Sequence, residues 1–278
     1  MIIKGAREQR ALFFKEEKSK SLLFSGMKAA SEPTKKSCPN CGTQKAGNFC
    51  ANCGQKFFEG KLSLTAVTQD SIDTLFNIDN RVLKTLKDLF LKPGYITKQY
   101  LAGKRQRYIS PFRVYFTFSA LYFFVLSITE VNSILFMNSF DLDGNEEQFT
   151  NFMKSFIILF APAFAGVIHL LHRKQGKNYI ESLVLALHLH SVLFFLFIVR
   201  AITDHFMLIY TETGGLRILI IGISATSTIL LFYYMYSYLR EFFGQSIMKT
   251  VLKVFLMLQG YVVILIIALL IFIFTISG

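Results

Sequence analysis

Five apolar stretches, each long enough to cross a lipid bilayer, fill most of the chain after residue 110 and constrain its fold more than any other feature. A helix needs roughly 20 apolar residues to cross a hydrocarbon core of about 30 Å. The stretches cover 111–129, 152–171, 179–199, 216–238 and 254–276. The sequence therefore predicts an all-α membrane protein with about five transmembrane helices.

The part of the chain before these stretches has an ordinary polar composition. The whole chain is 53% hydrophobic and 17% charged, whereas a soluble domain is about 45–50% apolar and about 25% charged. An alternative start at Met27 would bring a cysteine-rich unit close to the N-terminus. The predicted organisation is a disordered segment, the cysteine-rich unit, amphipathic helices and a transmembrane domain, at 1–37, 38–58, 61–109 and 110–278.

Loop charges predict the orientation of the chain in the membrane. Cytoplasmic loops carry an excess of Lys and Arg, and the segments at 104–107, 173–177 and 240–249 are basic. The connection at 130–151 contains five carboxylates and no Lys or Arg. This alternation places the N-terminus in the cytoplasm and the C-terminus outside. It also attributes most of the net charge of +12 to topology and not to nucleic-acid binding.

Two Cys-x-x-Cys pairs, in CPNCG…CANCGQ, are separated by eight residues, and a Gly follows each pair. Two thiolates on one tight turn face the same ion, and four of them complete tetrahedral zinc without an open position. We expect one structural Zn²⁺, with iron as the alternative ion. The reducing cytosol argues against two disulfides. The predicted ligands are Cys38, Cys41, Cys50 and Cys53.

This cysteine-rich unit is too small to bury a core, so the metal supplies its folding free energy. Its surface then decides what it contacts. Aromatic and basic residues there fit a cytosolic protein partner, a nucleic acid or the bilayer, or they cover the unit and dock it on the chain's own helices. These residues are Phe49, Phe57, Phe58, Lys45 and Lys56.

The segment before the first span predicts basic amphipathic helices. Val82, Leu86 and Leu89 recur at helical spacing, and Pro93-Gly94 ends that helix. Such helices lie on an anionic leaflet, where each basic residue contributes about 1 kcal/mol, or pack on the chain's own membrane domain. The sequence is compatible with both. An interfacial basic element follows, formed by Lys104, Arg105, Arg107 and Arg113.

Ionisable residues inside the predicted spans form a second candidate site, because such residues are costly in lipid and indicate function. Glu181 and His188 are seven residues apart and share a helix face. Counting from the start of the span places His188 near the midplane and His169 at the depth of Glu181. Interhelical hydrogen bonds, a proton or ion path with an acid–base pair, and a metal or haem site are the three alternatives. The candidate set is His169, His172, Glu181, His188 and His190.

Three motifs resemble those of a bacterial family of membrane proteins of unknown function. They are the two-knuckle ribbon ending in CGQ, the element GKRQRYISPFR at 103–113 and the histidine-bearing span YIESLVLALHLHSVLFF at 179–195. The resemblance implies this architecture and a bacterial inner membrane, and it carries no activity. Ser182 stands where the resemblance implies a His, which argues against a metal site built on that position.

The sequence favours a non-enzymatic, membrane-tethered zinc-ribbon interaction or scaffold module over an enzyme. Closed metal coordination leaves no position for a substrate, and the chain has no Gly-rich phosphate loop or Ser/His/Asp grouping. The lipid bilayer and a cytosolic protein are the expected partners. The alternative is a small-molecule or ion transporter, or an intramembrane enzyme, that uses Glu181, His188 and His169.

Overall fold

The described part of this computed structural model consists of residues 37–57, 64, 80–129, 146–209 and 214–277. The chain divides into two units, Met1–Phe57 and Phe58–Gly278. Several predictions fall wholly or largely outside the described residues: the disordered segment at 1–37, the alternative start at Met27, the first part of the amphipathic segment at 61–79 and the acidic connection at 130–145.

Seven α-helices form the second unit within its described residues, and five of them are long and apolar enough to cross a membrane. Two short helices come first, α1 (Asn80–Leu91) and α2 (Tyr95–Leu101). The long helices are α3 (Pro111–Thr129), α4 (Glu146–His172), α5 (Tyr179–Ile209), α6 (Gly214–Phe243) and α7 (Ile247–Ser277). The predicted fold class is confirmed.

The last four helices are longer than the apolar stretches from which they were predicted. The α5 helix has 31 residues and α6 has 30. At about 1.5 Å per residue each is roughly 45 Å long, which exceeds a hydrocarbon core of about 30 Å. Charged residues end an apolar stretch without ending a helix, because Lys, Arg and Glu are good helix formers. Hydropathy therefore marked the apolar part of each helix and not its ends.

The α5 helix is the centre of the bundle. Its membrane-length window is 78% buried inside the protein, against 22% for α6 and for α7. It packs against α3, α4 and α6, while α7 packs against α4 and α6. Every side chain from residue 182 to 194 is buried, as expected of a helix that other helices surround. The exposed apolar faces of α6 and α7 are left for lipid.

Pro162 interrupts the hydrogen-bond ladder of α4, because it lacks the N–H that would bond the Ile158 carbonyl. The Tyr115 hydroxyl of α3 donates to this carbonyl at 3.0 Å. The Tyr179 hydroxyl of α5 donates to the Pro162 carbonyl at 2.9 Å. The Tyr115 side chain of a neighbouring helix thus satisfies a backbone carbonyl that lipid cannot satisfy.

Replacing Tyr115 by Phe is expected to destabilise the bundle by about 0.6–2 kcal/mol, the usual range for a hydrogen bond inside a membrane protein. The matched test is a double-mutant cycle with Pro162→Ala, which restores a helical donor for the Ile158 carbonyl. In that background Tyr115→Phe should cost clearly less, as measured by SDS-induced unfolding of purified protein in mixed micelles. Equal costs in the two backgrounds would contradict the role given to Tyr115.

Candidate metal centre and buried polar joint

The four cysteines of the first unit form one cluster. Their Sγ atoms all lie within 4.8 Å of one another, with 3.7 Å between Cys38 and Cys53 and 3.4 Å between Cys41 and Cys50. Tetrahedral thiolates bound to zinc at about 2.3 Å lie about 3.8 Å apart. All four cysteines are free thiols, so the residues present fit a single tetrahedral metal ion.

The glycines that follow the cysteine pairs explain how each pair can face one ion. The Gly42 amide donates to the Cys38 carbonyl at 2.8 Å, and the Gly54 amide donates to the Cys50 carbonyl at 2.9 Å. Both glycines have positive φ angles, 81° and 68°, which glycine adopts without a steric penalty. The backbone therefore folds back after each pair and leaves both thiols on the same side of the turn.

The thiols of the cluster differ in acidity. Hydrogen bonds from the Thr43 side chain and backbone lower the pKa of Cys41 to about 6. Burial raises the pKa of Cys38 to about 12. Since thiolates are the metal ligands, binding at neutral pH has to displace a proton from Cys38, and metal affinity should rise with pH.

Two lysines lie over two aromatic rings on the surface of this unit. The Nζ atom of Lys45 is 4.8 Å from the ring centroid of Phe57, and that of Lys56 is 6.0 Å from the ring centroid of Phe49. Phe49 is 58% exposed, so within this unit it does not serve to cover the cysteines. Phe58 lies outside the described residues. The exposed Phe49 ring is available for an intermolecular contact.

One face of α1 is hydrogen-bonded to the loop at 102–110 that precedes α3, here named the fastened loop. Its bonding residues lie three or four positions apart, the spacing of a single helix face. The three hydrogen bonds join Arg81 to Gln106 at 2.9 Å, the Ile109 amide to Thr85 at 3.0 Å and the Tyr108 hydroxyl to Asp88 at 2.8 Å. The loop is therefore a built part of the fold.

The predicted interfacial basic element lies in this fastened loop and at the start of α3. The guanidinium of Arg105 lies over the Tyr100 ring, 5.8 Å from its centroid. Arg107 is exposed, while Lys104 and Arg113 are half-buried. Contact of these cations with lipid headgroups stays a prediction.

Asp88 is expected to make the stability of the fastened loop depend on pH. Burial raises the pKa of Asp88, but the hydrogen bond from Tyr108 and the ion pair with Lys92 outweigh burial and lower it. Because the folded pKa lies below the unfolded value of about 3.9, the stabilisation is present above about pH 4. It is lost as the pH falls through the folded pKa.

The measurement is the thermal unfolding temperature between about pH 5 and pH 2. Asp88→Asn should lose less stability on acidification than the unsubstituted protein. Tyr108→Phe removes the hydroxyl that lowers the carboxyl pKa and should also flatten the acid response. Superimposable acid profiles for the three proteins would contradict this role of Asp88.

The α2 helix is buried against the bundle. It packs on α5 and α6, and its Lys98 forms an ion pair with Glu241 of α6 at 2.7 Å. The side chains with no exposed surface are Ile96, Thr97 and Tyr100. Of the two arrangements compatible with the sequence, packing on the chain's own helices is the one that these contacts show for α2.

A chain of buried polar groups, here named the polar joint, fastens α2 to α5 and α6 through Thr97, His188 and Tyr238. The Oγ1 atom of Thr97 lies 2.8 Å from Nδ1 of His188 and is hydrogen-bonded to the Tyr238 hydroxyl. That hydroxyl is also 3.4 Å from the Leu185 carbonyl. Nε2 of His188 is buried without a hydrogen-bond partner.

The polar joint lies close to an exposed ion pair, and the depth of His188 near the membrane midplane stays a prediction. Lys98 directly follows Thr97, Glu241 comes one turn after Tyr238, and the Lys98–Glu241 pair is exposed. His188 is therefore about one helical turn, roughly 5 Å, from the exposed Lys98–Glu241 pair.

Two other predicted histidines are satisfied by their neighbours. Nδ1 of His190 bonds the Ala186 carbonyl at 2.8 Å, and its Nε2 lies 3.1 Å from the Tyr261 hydroxyl of α7. Nδ1 of His172 bonds the Ile168 carbonyl at 3.0 Å. These hydrogen bonds lie apart from the polar joint; two are within a helix, and the third joins α5 to α7.

Glu181 does not pair with the histidines: no described hydrogen bond or ion pair joins it to His169 or His188. Its amide donates to the Asn178 side chain at 2.7 Å, its carboxylate accepts the Asn178 amide at 3.3 Å, and Lys177 lies 4.0 Å away. This is the reciprocal capping box of a helix N-terminus. Glu181 and His188 share a face but are about 10 Å apart along it. Nδ1 of His169 is buried without a hydrogen-bond partner.

Sequence reasoning missed Thr97 and Tyr238, which complete the polar joint, and His205, whose Nδ1 bonds the carbonyl of Thr129 at 2.9 Å. A threonine on the buried side of an amphipathic helix was an available signal for the first. No neighbouring residue in the sequence indicated the partners of Tyr238 and His205.

Comparison with known protein families matches part of the chain. A family described as protein of unknown function (DUF3667) matches residues 79–123. No curated protein and no solved structure matches the chain. The matched residues contain α1, α2, the fastened loop and most of α3. Over the element that docks on α5 and α6, the chain is thus similar to a family of unknown function.

Proposed function

We propose that this protein is a non-enzymatic scaffold, anchored in a bacterial inner membrane, whose zinc-bound cysteine unit recruits a cytosolic protein partner. The observation that supports this most is the closed cluster of four thiols within 4.8 Å. Four thiolates in tetrahedral geometry select zinc or iron, and they leave no coordination position for a substrate. An ion held in this way has a structural role, because it determines the shape of the cysteine unit's surface.

The charges of the helical unit support a cytoplasmic N-terminus and an external C-terminus. The stretches 80–113, 173–181 and 236–256 together contain fifteen Lys and Arg and three carboxylates. They lie at the end of the bundle where α2 docks, and an excess of Lys and Arg marks the cytoplasmic side. The same cations favour contact with anionic lipid headgroups, each worth about 1 kcal/mol.

The cysteine unit suits a protein partner better than a nucleic acid. Residues 37–57 contain two cations, Lys45 and Lys56, whereas nucleic-acid affinity rests on many phosphate contacts. Aromatic residues, Phe among them, are enriched in protein interfaces, and Phe49 presents an exposed ring on this unit.

The test is a photo-cross-linking residue placed at position 49 of the full-length protein in living cells. A discrete cross-linked species is expected. It should disappear in the Cys50→Ser/Cys53→Ser variant, which cannot hold the ion, and persist in His188→Ala. The phenotype to follow is that of cells from which the protein has been deleted. The scaffold function is wrong if the cysteine variant keeps the cross-link and still complements the deletion, while His188→Ala does not complement it.

A second candidate function, a transporter or intramembrane enzyme, is favoured by two buried imidazole nitrogens without hydrogen bonds, on His188 and His169. Its proposed acidic partner, Glu181, bonds to Asn178 instead. This function predicts the reverse result, in which the cellular phenotype depends on His188 and not on the cysteines.

A further inference from the structure

The hydrogen atoms of the polar joint can be assigned from its geometry. If Tyr238 donates to the Leu185 carbonyl, Thr97 donates to Tyr238, and Nδ1–H of His188 donates to Thr97. Every donor in this series of three hydrogen bonds is then used. The opposite direction would leave an Nε2–H of His188 buried without an acceptor, which native structures rarely tolerate. The proton therefore belongs on Nδ1, and Nε2 carries a bare lone pair.

His190 provides a contrast on the same helix, two residues further on. Its Nδ1 donates to the Ala186 carbonyl, so its Nε2 also carries a lone pair, but the Tyr261 hydroxyl donates to that nitrogen at 3.1 Å. Both imidazoles are thus held in one tautomer by a bond at Nδ1. They differ in that Nε2 of His190 receives a hydroxyl from within the protein and Nε2 of His188 does not.

The surroundings of His188 define what could supply the missing donor. The imidazole is fully buried, the Tyr100 ring meets it edge-on with 6.4 Å between ring centroids, and Val184 packs with Tyr100. Charged side chains on the adjoining helices form ion pairs of their own, Lys98 with Glu241 and Glu181 with Lys177. Among the described residues, no group of three metal-binding side chains occurs apart from the cysteines. The site therefore suits an uncharged donor on an apolar body.

We propose that Nε2 of His188 binds the hydroxyl group of an uncharged amphiphile, a lipophilic phenol or alcohol, beneath α2. The amphiphile makes the hydrogen bond to His188 that Tyr261 makes to His190. The position, one turn from the exposed Lys98–Glu241 pair and beside the buried Tyr100 and Val184 side chains, suits a hydroxyl carried on an apolar body. The seven-residue α2 covers the site and has to shift for the ligand to enter. This site is independent of the cysteine unit.

The test uses para-hexylphenol and its methyl ether, para-hexylanisole, which has the same apolar body and no donor. Full-length protein with nitrogen-15-labelled histidine is placed in lipid nanodiscs, and the His188 signals are assigned from their loss in His188→Leu. Nε2 of His188 should resonate as an unprotonated nitrogen and shift saturably with the phenol. The phenol should bind about tenfold more tightly than the ether, the effect of one hydrogen bond, and the His190 signals should not move.

Two variants keep the result decisive if His188→Leu perturbs folding. Thr97→Val removes the acceptor for Nδ1–H, so the protonated Nε2 form should appear and phenol affinity should fall about tenfold. His190→Leu loosens the same helix without touching the polar joint, and the phenol shift of His188 should persist. The proposal is overturned by a protonated Nε2 in the unsubstituted protein, by equal affinity for the two probes or by loss of the shift in His190→Leu alone.

Discussion

Replacing Cys38 and Cys50 by Ser is expected to remove the metal ion from the protein and unfold the cysteine unit. These are the two most buried ligands, with 1% and 3% of their surface exposed. In isolated zinc-finger peptides the ion contributes roughly 10–16 kcal/mol at neutral pH, far more than a unit without a core can replace. Metal analysis of purified protein should give one zinc per chain before the substitution and none after it.

The control for this experiment is Phe49→Ala, which removes the exposed ring of the same unit and should leave the zinc content unchanged. The helical unit should unfold at the same temperature in all three proteins, because it is stabilised by its own core. Full zinc content in the double Ser variant would show that the cluster is not the metal site. An iron or haem absorption band in the unsubstituted protein would show that the bound metal is iron and not zinc.

Substituting Gly94 by Ala is expected to displace α2 and cost about 2–4 kcal/mol. Gly94 has a φ of 78°, and a Cβ atom there would lie 2.8 Å from the backbone carbonyl oxygen of Tyr238. The left-handed backbone conformation costs an alanine about 1–2 kcal/mol. The close contact of its Cβ atom cannot be relieved by a side-chain rotation, because the contacted atom belongs to the backbone of α6. The helix has to move away, which strains the Thr97–Tyr238 hydrogen bond.

Gly176→Ala is the matched control, because Gly176 has a φ of 69° and nothing within 4 Å of its Cβ position. It carries the left-handed cost alone. Unfolding in mixed micelles should show a larger loss for Gly94→Ala, and trypsin should cleave after Lys98 faster in that variant only. Equal losses and equal cleavage would mean that α2 is not held closely against α6.

Features set by a few neighbouring residues could be predicted from the sequence. Ser110, directly before Pro111, is a residue type that commonly caps a helix N-terminus, and its hydroxyl accepts the Arg113 amide at 3.3 Å. Gly103, the residue type that most often follows the last turn of a helix, comes just after α2 and has a φ of 90°. The cysteine cluster belongs to the same class, because its geometry follows from two turns within sixteen residues. Local backbone chemistry decides such features, whatever the rest of the chain does.

The polar joint could not be predicted, because its partners are 91 and 141 positions apart along the chain. Periodicity shows that a face is buried but not which helix covers it. Glu181 illustrates a different error. Asn178 three residues earlier is the signature of a capping box, yet the carboxylate was interpreted as an intramembrane acid because it lay in an apolar stretch. Local capping competes with long-range pairing, and here capping prevails.

The burial of α2 has a consequence for the order in which the protein is made. Thr97 leaves the ribosome before either residue of its docking site exists, since Tyr238 is translated 141 residues later. Domains fold during synthesis in the order in which their parts emerge. The segment near the N-terminus must therefore wait, undocked, until α6 has been inserted. Docking of α2 then completes the packing of the bundle. A protein with α2 in place is therefore one whose translation has passed α6, the fourth of the five long helices.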